Sequence, residues 1–410
     1  MFSCRHQQLT KIIYSIILNL TMRIIGRCIM QKSLKFHRSF ARIDLTAVRN
    51  NFISLKNLLE PSVKTMAIVK ANAYGHGAVR VAKTLENLTD YFAVADIQEA
   101  LELRENGIKN PILILSYTST YHYEELIENE IIPTVYSYAD AVKLSQTAVE
   151  MSKKAVVHIA VDTGMNRIGL KDCGESADIV KKISELPNIE IEGVFTHFAC
   201  ADSKDKSFVE IQKERFDKFI SSLEERGLDI PIKHCCNSAA TIDCDSRYDM
   251  VRMGIALYGL YPSDEVDKEK VALEPAMEVV SRVIHIKDVD AGEGIGYGHA
   301  YVTPEKKKIA TVCIGYADGY NRAFSNKGCV LVNGKRAKVV GRVCMDQIMI
   351  DITGIDGVNV GDQVIIMGRQ KGEKLTAEEL GEMCGSFNYE MICTFMPRVN
   401  KIYYENGRMV

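Results

Sequence analysis

Lys70 ends a short apolar run and is followed at once by Ala-Asn-Ala-Tyr74-Gly-His76-Gly. Burying an ammonium at the end of a strand is costly unless the group is paired or neutralised. A lysine neutralised in such a place can form a Schiff base with a carbonyl. The alternative is a rim lysine that snorkels to water. Other polar residues end similar runs: Asp162-Thr-Gly-Met-Asn-Arg167, Thr196-His197-Phe-Ala, Asn237-Ser238-Ala-Ala and Arg252-Met-Gly254-Ile255. Taken singly, such residues have plainer readings. His197 reads as a satisfied strand-end histidine, Tyr316 as core, Met345 as a buried methionine and His76 as a loop-structuring residue. His158, inside a strand, has no assigned role. No carboxylate pair suggests glycoside hydrolysis, and no cluster has metal-ligand spacing, so no metal is expected.

The elements that must position these residues follow a regular grammar. Short apolar, β-branched runs occur at 65–70, 91–95, 111–115, 132–136, 155–161, 190–198, 231–236 and 250–258. Stretches of helical period lie between most of them. Strands alternating with helices indicate βαβ units and a parallel sheet. Eight such units over about 200 residues suit an α/β TIM barrel, with an open doubly wound sheet as the alternative. In a TIM barrel the residues just past the strand C-termini face the active site, and phosphate binds after strands 7 and 8. A Schiff-base lysine facing a phosphate site suggests pyridoxal phosphate.

After Pro275 the grammar changes to long strands, at 277–289, 308–315, 328–332, 336–343, 347–352 and 362–367. Asn333-Gly334 is the strongest short hairpin signal. One helix is expected near 376–384, capped by Thr376 with Glu379 three residues on. The expected organisation is a TIM barrel over 38–272 and a mainly β C-terminal domain over 273–410. Residues 1–37 are expected to stand outside the fold. Their apolar run at 12–20 is too short to span a membrane, and Arg23 and Arg27 interrupt its extension. Met22 and Met30 are candidate alternative starts; a targeting role is the other reading.

Of 410 residues, 47% are apolar and 25% charged, which excludes a disordered or collagen-like chain. The net charge is −2 and no long block of one sign occurs, so neither nucleic acid nor stable membrane association is expected. The twelve cysteines show no C-x-x-C pair and mostly sit in apolar runs. They read as buried free thiols in a reducing, cytoplasmic setting.

From about Phe40 to the C-terminus the chain resembles alanine racemase, the fold-type III pyridoxal-phosphate enzymes. The resemblance rests on Val69-Lys-Ala-Asn-Ala-Tyr-Gly-His-Gly77, Asp162-Thr-Gly-Met165, Thr196-His-Phe-Ala199, Asn237-Ser-Ala-Ala240 and Arg252-Met-Gly-Ile255. Gly296-Tyr-Gly298, Ile314-Gly-Tyr-Ala-Asp-Gly-Tyr320, Cys344-Met-Asp-Gln347 and Asn388-Tyr-Glu390 extend it into the second domain. Nine segments in order across both domains outweigh the plainer readings of single residues.

The resemblance implies interconversion of L- and D-alanine with pyridoxal 5'-phosphate, supplying D-alanine for peptidoglycan. It implies that Lys70 holds the cofactor and is the base on one face of the substrate Cα. Tyr297 would be the base on the other face, supplied by the second subunit of a homodimer. Tyr74, Ser238, Gly254, Ile255 and Tyr389 resemble the phosphate cradle. His197 would pack on the pyridine ring, and Arg252 would face the pyridine nitrogen. An arginine only donates, so that nitrogen should stay unprotonated, which weakens the cofactor as an electron sink. Arg167, Tyr316 and Met345 resemble the substrate-binding residues. Many family members carry a carbamylated lysine two residues before the Asp-Thr-Gly-Met segment; here that position is Ala160. The alternatives are a racemase for serine or another amino acid, a non-catalytic barrel protein holding the same cofactor, and a fold-type III decarboxylase. Tyr389 would crowd the pocket and favour a small side chain.

Overall fold

A computed structural model describes residues 38–245, 247–395 and 397–410. The expectations about residues 1–37 lie outside them. Barrel strands are β2 (Lys64–Ile68), β3 (Tyr91–Val94), β4 (Ile112–Ile114), β5 (Ile131–Val135), β6 (Ala155–Asp162), β8 (Ile189–Phe195), β9 (Ile232–His234) and β10 (Met250–Met253). Strand β1 (Phe40–Asp44) precedes them, and the two-residue β7 (Leu170–Lys171) pairs only with β6. All pairings along β10-β2-β3-β4-β5-β6-β8-β9 are parallel. Backbone bonds from Asp249 N to Lys233 O and from Arg252 N to Cys236 O join β9 to β10, which closes the ring. Helices connect successive strands. The strands read as apolar runs because both faces are covered; β3 and β4 are buried at every position. Strand β10 stops at Met253, short of the run to 258, because the chain turns into a tight helical turn at Ile255–Tyr258.

The second domain is a mainly antiparallel sheet built on β11 (Met277–Val289). The Asn333-Gly334 turn forms as read. Both residues have positive φ, +52° and +77°, and they join Cys329–Val332 to Lys335–Val339 with Val332 opposite Lys335. Thr376 caps the helix Ala377–Cys384, its hydroxyl accepting the Glu379 N–H.

One boundary differs from the sequence reading, which placed everything from residue 38 in the barrel. Strand β1 pairs antiparallel with β11 and parallel with the strand Asn400–Glu405 near the C-terminus. The β domain is therefore built from two distant pieces of chain. A five-residue strand looks alike in either sheet; only its non-local partners distinguish them. Asp44 ends the strand and caps the helix Leu45–Lys56, accepting the Thr46 and Ala47 N–H groups, so the chain passes directly from one domain into the other.

Candidate active site

The peptide after β2 does something unusual. Ala71, Asn72, Ala73 and Tyr74 all have φ between +50° and +54°, a turn of left-handed helix without a glycine. Such a conformation costs roughly 1–2 kcal/mol per residue. Several bonds hold it. The Glu99 carboxylate accepts the Ala71 N–H at 2.5 Å and the Ala95 N–H at 2.7 Å. The Asn72 side chain accepts the Ala78 N–H at 2.8 Å, and Val69 O accepts the Ala73 N–H. This turn carries Lys70 at its start and Tyr74 at its end. Burial, then the charge of Arg167, lower the pKa of Lys70 from its ordinary value, while Glu99 opposes them. The amine is thereby eased towards its neutral, nucleophilic form.

His76 closes the turn. Its Nδ1 lies 3.1 and 3.0 Å from Ala73 O and Tyr74 O, and its ring stacks on Tyr258 at 4.4 Å. It is fully buried, and burial pushes its pKa from 6.5 down to about 4. The unfolded chain therefore takes up a proton below pH 6.5 that the native ring refuses. The native state loses stability as pH falls from 6.5 towards 4, by up to about 1.4 kcal/mol per pH unit. Denaturant unfolding at several pH values should show this slope, and His76→Gln should flatten it by one proton's share. An unchanged slope in the variant would refute the assignment.

The polar residues at the ends of β6, β8, β9 and β10 meet around Arg252, which is 3% exposed. Its Nη2 donates to Thr196 O and Cys235 O, each at 2.8 Å, and lies 3.2 Å from His197 Nδ1. Its Nη1 lies 2.9 Å from His234 Nδ1. Burial, then the charges of Arg252, Arg167 and Lys70, push the His197 pKa down to about 3, so this ring is neutral. The Ser238 hydroxyl accepts the Gly254 N–H at 2.8 Å. A Cβ at Gly254 would press on the Tyr74 hydroxyl at 3.0 Å and stand 3.6 Å from Ser238 Oγ, so a side chain there would crowd the cradle. The Tyr389 ring lies 6.3 Å from that of Tyr74. Lys70, Tyr74, His197, Ser238, Arg252, Gly254, Ile255 and Tyr389 thus share one end of the barrel. Arg167 is exposed and makes no hydrogen bond or ion pair among the described residues, and Ala160 is a buried methyl.

Tyr297, Tyr316 and Met345 lie elsewhere. Tyr297 and Met345 line a cavity of about 590 Å³ on the β domain, which does not include Lys70. Tyr316 N bonds to Cys344 O, which ties the two loops together. Tyr297 is 69% exposed, Met345 53% and Tyr316 42%. The single-residue readings of Tyr316 as core and Met345 as buried do not hold. Their loops are braced by Asp318, which is 3% exposed and pairs with both Arg38 and Arg398. Sequence reasoning missed Glu99, because Asp96-x-x-Glu99 has the form of a helix capping box. Asp96 does accept the Glu99 N–H, but the Glu99 carboxylate reaches past the cap to the lysine turn. It also missed His234.

This arrangement sits in a chain with close relatives. The family model for the alanine racemase N-terminal domain matches residues 43–262, and that for the C-terminal domain matches 276–403. An alanine racemase of Methanococcus maripaludis is 48% identical over 369 residues, covering 90% of this chain and 99% of its own. One from Clostridium tetani is 45% identical over 374 residues, with coverage of 90% and 96%. Among solved structures, the alanine racemase of Clostridium difficile 630 superposes with a TM-score of 0.87 at 45% identity, covering 91% of this chain and 97% of that one. The Bacillus anthracis alanine racemase with bound L-Ala-P gives 0.87 at 40% identity over the same shares. With the match running through both the barrel and the β domain, the chain belongs to the alanine racemase family and is an amino-acid racemase.

Proposed function

We propose that the chain interconverts L- and D-alanine with pyridoxal 5'-phosphate, using Lys70 and a second copy's Tyr297 as the two bases. The observation that carries this reading is Lys70, its pKa lowered, on the same barrel mouth as the Tyr74–Ser238–Gly254 cradle. The residues suit the cofactor. Hydroxyls and backbone N–H groups with no Cβ at Gly254 match a phosphate. The hydrogen bonds of Arg252 run from Nη1 and Nη2, which leaves its Nε–H to serve a pyridine nitrogen that accepts. When bound, pyridoxal phosphate supplies a carbonyl that condenses with an amine and a conjugated ring that spreads the electron pair left by a departing Cα proton.

The chain's own residues supply the rest. Lys70 would hold the cofactor through its amine, and the free amine would take or return the Cα proton on one face. The Tyr297 phenol serves the other face, so racemisation proceeds without either proton crossing the substrate plane. Arg252 donates only and leaves the ring nitrogen unprotonated, which limits side reactions. Neutral His197 packs beside it without adding charge. Arg167 orients the substrate carboxylate, and Tyr316 and Met345 close the pocket from the second copy. Exposure of Tyr297, Tyr316 and Met345 supports a homodimer with shared sites. The Tyr74 and Tyr389 rings leave room for a small side chain. We place the enzyme in the cytoplasm, providing D-alanine for peptidoglycan; the ten described cysteines are free thiols, which suits a reducing compartment. The residue division follows the same reading, with 273–410 together with β1 as the β domain. The test is cofactor absorbance of the pure protein together with an alanine racemisation assay, with serine as competitor.

Ala160 sets a further expectation. No carbamate can form on its methyl, so activity should be unchanged when bicarbonate is stripped and restored. Arg167 then needs another anion, and a chloride requirement is the expected sign of one. Loss of activity on bicarbonate removal, with recovery on addition, would show that another residue carries a carbamate.

A further inference from the structure

Four charged side chains close a ring on the β domain. Asp318 pairs with Arg38 at 3.2 Å and with Arg398 Nε at 2.8 Å. Asp346 pairs with Arg398 Nη2 at 2.6 Å and with Arg38 Nη1 at 3.7 Å. The charges alternate in sign, so each neighbour around the ring attracts the next. Asp318 is buried, while the other three are partly exposed. An isolated surface pair adds little, but a network closed around a buried carboxylate holds its members in place. Without that carboxylate the two guanidinium groups would share a site with one fewer counter-charge.

The ring gathers pieces that are far apart along the chain. Arg38 precedes β1, and Arg398 precedes the strand Asn400–Glu405 that pairs with β1. Asp318 follows Tyr316 by two residues, and Asp346 follows Met345 directly. The Asp318 carboxylate also accepts the Gly315 N–H at 2.8 Å. Arg38 also donates to Cys313 O at 3.2 Å and to Asp346 O. The ring therefore holds the backbone on both sides of Tyr316 and next to Met345.

The two loops also fit closely to each other. Tyr316 N donates to Cys344 O and Ala317 N to Met345 O, each at 3.0 Å. A Cβ on Gly315 would collide with both carbonyl oxygens, so only glycine lets the loops meet. The backbone is thus fixed while the Tyr316 and Met345 side chains stay exposed.

We propose that Arg38, Asp318, Arg398 and Asp346 are positioning residues for the substrate site of the second copy, setting how Tyr316 and Met345 close on the substrate there. The inference rests on the reading of those two residues as supplied to the other copy's site. The four act through Tyr316 and Met345 and are not themselves catalytic groups.

Asp318→Asn keeps an acceptor and removes the charge. KM for both alanine enantiomers should rise about tenfold with kcat within about threefold, the pattern of lost uniform binding. Asp346→Asn, at an exposed position, should raise KM in the same direction with thermal unfolding unchanged, and it carries the test if Asp318→Asn does not fold. In cofactor-free Asp318→Asn the Tyr316 and Ala317 amides should exchange with deuterium faster, while those of the Asn333-Gly334 hairpin keep wild-type rates. Folded variants with the wild-type KM overturn the proposal.

Mixed dimers, purified through two different tags, show which site the ring serves. Pairing Lys70→Ala with Asp318→Asn leaves one working site, whose Lys70 comes from the Asp318→Asn chain and whose loops come from the other. That site should have the wild-type KM. Pairing a wild-type chain with one carrying both Lys70→Ala and Asp318→Asn leaves one working site with altered loops, and its KM should be raised. The reverse pattern overturns the proposal, because the ring would then serve its own chain. A mixture of Lys70→Ala and Tyr297→Phe chains separates the two claims. If it stays inactive, the shared-site reading fails and the inference with it. If activity returns while Asp318→Asn and Asp346→Asn keep the wild-type KM, only the role of the ring fails.

Discussion

Lys70→Ala should give a folded protein that shows neither the absorbance of lysine-bound cofactor nor racemisation in either direction. The loss of activity should be at least about a thousandfold, within the range for removing a proton-transfer group. Two separate functions rest on this one amine. In the proposed mechanism it is both the covalent attachment point and the base for one face of Cα. Folding should survive, because alanine removes a partly buried ammonium that burial already disfavours. The left-handed turn behind it is held by Glu99, Asn72 and backbone bonds, none of which uses the Lys70 side chain. Circular dichroism and thermal unfolding should therefore match the wild type. A small primary amine added to the variant should restore part of the exchange of the Cα proton, since it supplies the base without the tether. A Lys70→Ala protein with full activity would remove the central claim.

The barrel and the β domain were legible because their signals are local. Apolar runs at a spacing of one βα unit, and Asn333-Gly334 between two strands, carry their structure in adjacent residues. The placement of β1 was not legible. Its partners, β11 and the strand Asn400–Glu405, lie more than two hundred residues away, and nothing within five residues names them. The site divides in the same way. Lys70, Arg252 and Ser238 stand out as polar residues that end apolar strands. Glu99 and His234 do not, because their roles depend on which strand ends meet. Glu99 satisfies a helix-cap pattern on its own helix, and His234 is one more residue of a short strand. Tyr316 and Met345 failed as single residues for a related reason. Apolar type suggests burial, but in the single chain both are exposed, and only the matched segments around them pointed elsewhere.

Mixing two inactive variants should recover activity. Tyr297→Phe should keep the cofactor but lose racemisation in both directions, because each turnover needs both faces of Cα. Exchange of the Cα proton with solvent should persist for D-alanine, which Lys70 still deprotonates, and fall for L-alanine. Equal loss for both would refute this division of labour. In the proposed mechanism Tyr297 acts in the second copy's site, a reading its exposure and a cavity that excludes Lys70 support. In a dimer of one Lys70→Ala chain and one Tyr297→Phe chain, one site pairs intact Lys70 with intact Tyr297, and the other site lacks both. Random exchange of equal amounts makes half the dimers mixed, and each has one working site of two. About a quarter of wild-type activity should return, the value expected for a symmetric dimer with shared sites. If Tyr297 served its own chain, every site in the mixture would lack one base and nothing would return. Subunit exchange must be verified by mass-tagged chains. A verified mixture that stays inactive would place Tyr297 and Lys70 on the same subunit.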